Sequence, residues 1–365
     1  MEETVETLNM LATTVVPPAS TQSVHVRTLS SKDEPRWDRF VRTNPQGSLF
    51  QLVAWKRVVE KTFGYRASYL LAERGNEITG IAPIFLVSDW LGGRRLISVP
   101  LGVYGGICTS DDESRLHLLK AIKQECLERG VDYLELRHRK SGIDSGFHPN
   151  TLYTAFTTSL SADVDANLKR LPRDTRYMIR KAEKAGLHSE RGTHLKNVFY
   201  NLFAQSMHRH GTPVFPRALF ENLVQEFCAE LEFMAVYSGS QPVAAVLSFF
   251  FRDTILPYYA GAAPEAPKLG ANNFMYWDLM KHAVQAGLRR FDFGRSKKGT
   301  GSYAFKTQWN MDVEPLDYEV FLVRRKTVPN LSPVNPKFER AIRAWRRMPL
   351  WMANAMGPHI VRWLP

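Results

Sequence analysis

The residues of this chain best equipped for chemistry crowd into FDFGRSKKGTGSYAFKTQW, residues 291–309, which holds four cations and three glycines. A strand-like run, RFDF, passes into a glycine-punctuated loop carrying Arg295, Ser296, Lys297, Lys298 and Gly299, followed by Tyr303 and Lys306. Glycines let backbone N–H groups turn toward a ligand, and cations beside them favour phosphate, carboxylate or a developing oxyanion. A solvated turn is the plain alternative. The spacing of Gly294 and Gly299 approaches a phosphate-binding P-loop, but Thr300 and Gly301 stand where that pattern needs Lys and then Ser or Thr. The aromatic and β-branched content of SYAFKTQW also argues against a helix opening there. A nucleotide-hydrolysing loop is therefore not expected.

Two further basic elements stand out. In LPRDTRYMIRKAEKAGL, residues 171–187, Arg173, Arg176, Arg180 and Lys184 share one helical face beside Tyr177. Asp174 or Thr175 is placed to cap the first turn and Gly186 to end the helix. Like charges on one stripe repel unless solvent or an anion relieves them, so the stripe reads as a solvated face or an anion-binding wall. From Arg324 onward nine Lys or Arg face a single acid, Glu339, so this tail holds +8 of the formal net charge of +12. Its segment NPKFERAIRAWRRM separates an apolar side (Phe338, Ala341, Ile342, Trp345, Met348) from a cationic one (Lys337, Arg340, Arg343, Arg347), with Asn335 and Pro336 at the expected helix start. Such a helix over residues 335–365 suits an anionic membrane surface, or packs on the body of the protein.

Other chemistries lack their residues. There is no H-E-x-x-H, no C-x-x-C and no G-x-S-x-G, and His208 and His210 lie two apart, so no metal site is expected. Three cysteines, Cys108, Cys126 and Cys228, are expected as buried apolar residues and not as disulfides. The start, MEETVETLNM, is acidic where a secretory signal is basic, and the longest apolar run, PVAAVLSFFF, is far short of the roughly 18–20 residues that cross a bilayer. The expected location is the cytoplasm, peripheral to the inner face of the membrane if the tail docks there.

The elements that must position these residues follow a repeated plan. After a leader over 1–22 come a strand, two helices around residues 34–43 and 52–64, a meander of short strands, a helix and the strand VDYLELRH. Setting Gly75 against Gly239 aligns LAERGNEITGIAPIFL with AVYSGSQPVAAVLSFF, and setting Gly130 against Gly287 aligns CLERGVDYLELR with AVQAGLRRFDFG. Two elements in the same order at nearly one offset indicate a duplicated lobe. The fold class is α/β (α+β): two duplicated lobes with mixed sheets flanked by helices, over 23–155 and 156–325, plus a basic helical tail over 326–365. A cleft between such lobes is the expected ligand site.

At RDTRYMIRKAEKAGL, HGTPVFP, LPYYAGA, GANNFMYWDLMKHAVQAGLRRFDFGRS and GTGSYAFKTQW the chain resembles the FemAB family, and among its branches the one associated with PEP-CTERM and exopolysaccharide systems. The resemblance spans about residues 24–325. It implies tandem acyltransferase lobes of GNAT type, which move aminoacyl groups from aminoacyl-tRNA onto peptidoglycan precursors. It also implies that Lys306 meets the reacting acyl group. Arg173, Arg176, Tyr177 and Arg180, with Tyr258 and Tyr259, are by the same resemblance the wall that receives a phosphate-bearing acceptor, and Asn273 joins the substrate-binding set. No bound cofactor is implied; the donor is aminoacyl-tRNA or acyl-CoA. The helical arm some members use on tRNA has no counterpart, and the acyl-CoA signature [RQ]-x-x-G-x-[GA] is met only by PKLGAN, with Pro267 and Asn272 at key positions. An acyl-CoA-dependent acetyltransferase and a non-catalytic scaffold of polysaccharide assembly are the competing readings.

Overall fold

The computed structural model describes residues 22–89, 92–140, 142–329 and 339–363; residues 1–21 of the leader and the expected start of the tail helix at Asn335 and Pro336 lie outside them. The first half runs β1 (Val24–Thr28), α1 (Glu34–Thr43), α2 (Val53–Phe63), β2 (Arg66–Arg74), β3 (Glu77–Ser88), β4 (Arg94–Ile97), β5 (Cys108–Thr109), α3 (Asp112–Arg129), β6 (Tyr133–Arg137), β7 (His148–Pro149) and β8 (Tyr153–Ser159). The second runs α4 (Val164–Arg170), α5 (Arg173–Lys184), β9 (His188–Arg191), α6 (Lys196–His210), α7 (Arg217–Glu226), β10 (Leu231–Ser238), β11 (Gln241–Phe251), β12 (Thr254–Ala262), α8 (Ala266–Leu269), α9 (Ala271–Gln285), β13 (Arg290–Lys297), α10 (Gly301–Thr307), β14 (Asp312–Pro315) and β15 (Tyr318–Leu322). Helices α11 (Glu339–Arg347) and α12 (Leu350–Val361) close the described chain.

The duplication is visible in the pairing. Hairpin β2–β3 turns at Gly75 and hairpin β10–β11 at Gly239, both glycines at positive φ, where an L side chain would be strained. Helix α3 ends at Gly130 and α9 just before Gly287, again at positive φ, and each leads into a strand that pairs in parallel: β6 with β4, and β13 with β12. The sheets run β1-β2-β3-β4-β6-β15-β7 and β14-β8-β13-β12-β11-β10-β9, with β5 beside β3.

The chain passes to the second sheet at β8 and returns to the first at β15. Strand β8, which begins at Tyr153, pairs wholly within the second sheet against β13, while β15, counted with the second lobe, pairs with β6 in the first. The first sheet is thus completed by β15 from the second lobe, antiparallel beside β6, while β8 enters the second sheet just before the expected boundary.

The largest apolar core unites the lobes. Trp37, Phe50, Trp55 and Tyr69 from the first half pack in one cluster with Phe199, Phe220, Phe233 and Phe249 from the second, so α1, α2, α6 and α7 lie between the sheets. Helix α3 covers the outer face of the first sheet, and α5 and α9 cover that of the second. A side chain at Gly261 on β12 would place its Cβ 2.3 Å from the backbone nitrogen of Phe203 on α6, so only glycine permits this approach.

Three local expectations differ from the structure. The segment after the basic loop is a helix, α10: Thr300 caps it by accepting from the Tyr303 N–H, which outweighs the weak intrinsic helix preference of its aromatics. Thr175 does not cap α5; the helix starts at Arg173 and the Thr175 hydroxyl donates to the Gln308 carbonyl at 2.6 Å. Cys108 and Cys126 are buried, but Cys228, just beyond α7, is exposed.

Candidate active site

Strands β12 and β13 pair only at Thr254–Arg290 and Ile255–Phe291 and then diverge. Two bulges shape the gap. The register of β11 against β12 shifts between Leu247 and Ser248, leaving Tyr258 as an extra residue. Consecutive strand residues normally face opposite sides; the bulge lets both Tyr258 and Tyr259 line one cavity, with ring centroids 4.7 Å apart. On β13 the register against β8 shifts between Asp292 and Arg295, where Gly294 takes a φ of +66°.

Between the lobes lies a cavity of about 820 Å³. Arg295, Ser296, Lys297 and Lys306 line it, with Tyr258 and Tyr259, and so do residues not expected there: Arg137 at the end of β6, Asn150 and Tyr153 at the crossover into β8, and Ile342, Trp345 and Ile360 of the tail. Lys298, Gly299, Tyr303 and Asn273 are not among the lining residues; Lys298 and Gly299 are exposed, and Tyr303 packs its ring 5.2 Å from that of Phe156. Arg173, Arg176, Tyr177 and Arg180 also stand outside it, on the outer face of α5, where Tyr177 is 63% exposed.

Arg295 lines the cavity with its guanidinium. It donates to the Tyr318 hydroxyl at 3.0 Å and stacks 4.4 Å over the Tyr153 ring, and among the described residues it pairs with no carboxylate. Arg137, by contrast, is held by Glu135 at 2.7 Å and donates to the Val99 carbonyl at 2.9 Å. Buried Tyr318 and half-buried Tyr258 donate to the backbone carbonyls of Val103 and Leu101, tying both strands to the loop of the first lobe. The Tyr153 phenol is pulled in two directions: burial raises its pKa, while Arg295 and Lys297 lower it and prevail. Three buried polar atoms of lining residues, Ser296 Oγ, Tyr259 Oη and Trp345 Nε1, have no hydrogen-bond partner.

Lys306 reaches back from α10 to the bulge it follows. Its Nζ donates to the carbonyls of Phe293 at 2.5 Å and Arg295 at 3.0 Å, and more weakly to that of Gly294 at 3.4 Å. Two of its three N–H directions are thus committed to holding the bulge, and the third is weakly engaged. Burial lowers its pKa to about 8, opposed by Asp292 and reinforced by Arg295. Asp292 itself is buried, accepts from the Gly294 N–H at 2.7 Å and from the Tyr104 hydroxyl at 3.2 Å, and is raised above the usual carboxylate range by burial.

The tail packs on the body. The Tyr65 hydroxyl donates to the Arg362 carbonyl, His208 Nε2 lies 2.8 Å from the Met348 carbonyl, and Gly211 and Gly357 provide close approach, a Cβ at Gly211 falling 2.5 Å from Ile342 Cγ2. A separate polar cluster joins His138, Asp144 and Glu319, whose donor atoms lie within 4.8 Å of one another. His138 Nε2 is 3.1 Å from Glu319 Oε1, and Arg115 bonds Asp144, so a guanidinium already supplies the cation there. Among the described residues no helix is long and apolar enough to cross a membrane.

This arrangement, paired sheets with a cleft opened by diverging parallel strands, defines an acyltransferase fold of GNAT type, and residues 169–307 match the family described as an acetyltransferase (GNAT) domain. The tandem-lobe fold is the one seen in FemX. The structure of FemX superposes with a TM-score of 0.64 at 16% identity, covering 82% of this chain and 98% of FemX. The C-terminal domain of a protein assigned as a lysylphosphatidylglycerol synthetase from Agrobacterium fabrum gives a TM-score of 0.56 at 15% identity, over 80% of this chain and 92% of the domain. L-PGS from Bacillus licheniformis gives 0.55 at 12% identity, over 83% and 95%. No protein of curated function matches the sequence.

Proposed function

We propose that this protein transfers an aminoacyl or acyl group from an activated donor to an amine on a phosphate-bearing precursor of the cell envelope or an exopolysaccharide, in the manner of the FemAB family. The observation that carries this reading is the meeting, in one cavity, of a guanidinium without a carboxylate partner and a lysine of lowered pKa: Arg295 and Lys306. Arg295 and Lys297 hold the anionic group. As the amine attacks the ester or thioester carbonyl, the weakly engaged N–H of Lys306 meets the oxyanion, and the leaving group departs as the carbonyl reforms. Tyr153, the pKa of its phenol lowered by the two cations, takes the amine's proton in its phenolate form. The exposed cations of the α5 face, Arg173 and Arg180 with Tyr177, guide anionic substrates toward the cleft from outside. Arg340, Arg343 and Arg347 with Trp351, 70% exposed, rest on the anionic inner face of the membrane.

Aminoacyl-tRNA is the donor on the FemX-like reading. Acyl-CoA is the second reading, favoured by the GNAT match and by the divergence of β12 from β13, which frees strand backbone groups for an amide-bearing donor arm. Mass spectrometry of small molecules that co-purify, followed by transfer assays with Lys306→Ala and with the chain truncated after Val323, tests the proposal. Transfer lost in Lys306→Ala is the expected result. Product formation untouched by Lys306→Ala but abolished by truncation would establish the scaffold reading instead. A rise in melting temperature with CoA but not with aminoacyl-tRNA would select the second donor.

A further inference from the structure

We propose that the cavity takes an amphiphile: one hydrocarbon chain lying along a wall built by the two C-terminal helices, ended by an anionic group seated on Arg295. The identity of the chemistry done to this ligand rests on the acyltransferase reading above; its shape does not.

The charge is one-sided. Glu135 is the one carboxylate among the lining residues, and Arg137 neutralises it at 2.7 Å, so the charge left at this end belongs to cations, with Arg295 facing the two tyrosines that hold it. Ser296 Oγ and Tyr259 Oη, buried and without partners, offer further hydrogen bonds to the same head group.

The opposite wall is apolar. Phe215 from the loop after α6 meets Ile342, Trp345 and Ile360 from the tail, while Leu101 approaches from the first lobe. The two ends are continuous, because the Phe215 ring lies 5.5 Å from Tyr259, which lies 4.7 Å from Tyr258 beside the cationic end. The side chains of Ile342, Ile360, Leu101 and Phe215 give a sugar or peptide no hydrogen bonds, and the single unpartnered donor of this wall, Trp345 Nε1, compensates little of the water a polar ligand would lose there. A methylene chain loses nothing there and gains by leaving water.

The wall is also built to stay. Gly211 and Gly357 bring the tail helices within contact of α6 and of Val214, and the carbonyls of Met348 and Arg362 accept from His208 and Tyr65. A volume of about 820 Å³ sits within the roughly 300–1,000 Å³ of cavities that hold ligands of modest size, which suits one chain and a head group better than a two-chain lipid. Such a ligand has two sources: a lipid-carried phosphate on the acceptor side, or the acyl chain of a long-chain ester or thioester on the donor side, whose hydrolysed, anionic form is the fatty acid.

Calorimetric titration of the full-length protein with decyl phosphate, decanoate, decanol and ethyl phosphate tests the proposal. Decyl phosphate and decanoate are expected to bind, with affinity rising roughly threefold per methylene, so that ethyl phosphate, shorter by eight methylenes, binds on the order of several thousand-fold more weakly. The preferred head group tells the two sources apart. Arg295→Gln is expected to weaken decyl phosphate about tenfold and leave decanol unchanged. An alkyl phosphate carrying a diazirine at its chain end is expected to label peptides within residues 339–361 of the unaltered protein, a readout that survives if a wall variant fails to fold. Ethyl phosphate binding as tightly as decyl phosphate, decanol matching decyl phosphate, or labelling confined to other segments would each overturn it. Chain-independent binding with transfer intact sinks this inference alone; chain-dependent binding with no transfer sinks the enzymatic proposal alone.

Discussion

The lowered pKa of Lys306 can be measured without knowing either substrate. An ordinary lysine titrates near 10.5, whereas burial and Arg295 bring Lys306 to about 8. At pH 9 about one tenth of Lys306 is therefore ammonium, against about 97% of an unshifted lysine. Trace acetylation with a low dose of acetic anhydride across pH 6–11, read peptide by peptide by mass spectrometry, should show Lys306 reaching half its maximal reactivity near pH 8. Arg295→Gln removes a cation that opposes the ammonium and should move the midpoint upward. Asp292→Asn removes a favourable charge and should move it downward. If the ammonium meets the oxyanion, transfer falls about tenfold from its plateau by pH 9 in the wild type, and Lys306→Arg, always charged, loses that limb. The sign also reaches stability: the unfolded state binds the proton more tightly, so this group makes the folded state gain stability as pH rises from about 8 toward 10.5. A labelling midpoint at or above pH 10 would refute the reasoning, because it would mean that the carbonyl cradle at the bulge stabilises the charge more than burial disfavours it.

Other expectations follow from single contacts. Gly261→Ala should cost about 3 kcal/mol in denaturant unfolding, because its Cβ meets the backbone of Phe203 at 2.3 Å and backbone cannot step aside as a side chain can; a change below about 0.5 kcal/mol would show that α6 shifts freely. Asp33, buried and bonded by Arg27 at 2.6 Å, has a pKa held below the carboxylate range first by Arg27 and then by Ser30. Its stabilisation is present above about pH 4 and lost as pH falls through the depressed native pKa, so Asp33→Asn should destabilise by about 2 kcal/mol at pH 7 and flatten the acid limb of the melting-temperature profile. Co-sedimentation with anionic vesicles should weaken between about 0.1 and 1 M salt, as the screening length falls from about 10 to 3 Å, and should weaken further in Trp351→Ala; salt-independent binding would contradict an electrostatic contact by the tail.

Much of the fold was legible because its signals are local. Glycines that close a helix or a hairpin act within a few residues, so the paired turns at Gly75 and Gly239 and the helix ends at Gly130 and Gly287 revealed the duplication before any contact was known. The loop at 294–299 was legible as a glycine-punctuated cationic turn for the same reason, but not which of its cations line the cavity, Arg295 and Lys297 rather than Lys298. Helix α10 was misread because one capping hydroxyl, Thr300, outweighed the propensities of the residues after it. The α5 stripe was read as helical and amphipathic, but periodicity says which residues share a face and nothing of what the face meets.

By itself, then, the sequence determined two repeats of one lobe, the strand that delivers Arg295 and the helical tail, all through interactions spanning a few residues. Tertiary structure decided the rest. The pairing of β8 with β13 and of β15 with β6 brings Tyr153, more than a hundred positions away, and Tyr318 against Arg295 through strand pairing that no local pattern encodes. The bulge at Tyr258 turns two neighbouring tyrosines into one cavity, and the docking of α11 and α12 on α6 turns a cationic appendage into its apolar wall. The physical reason is common to all three: hydrogen-bond register and side-chain packing are settled between distant segments, and only the folded chain puts those segments side by side.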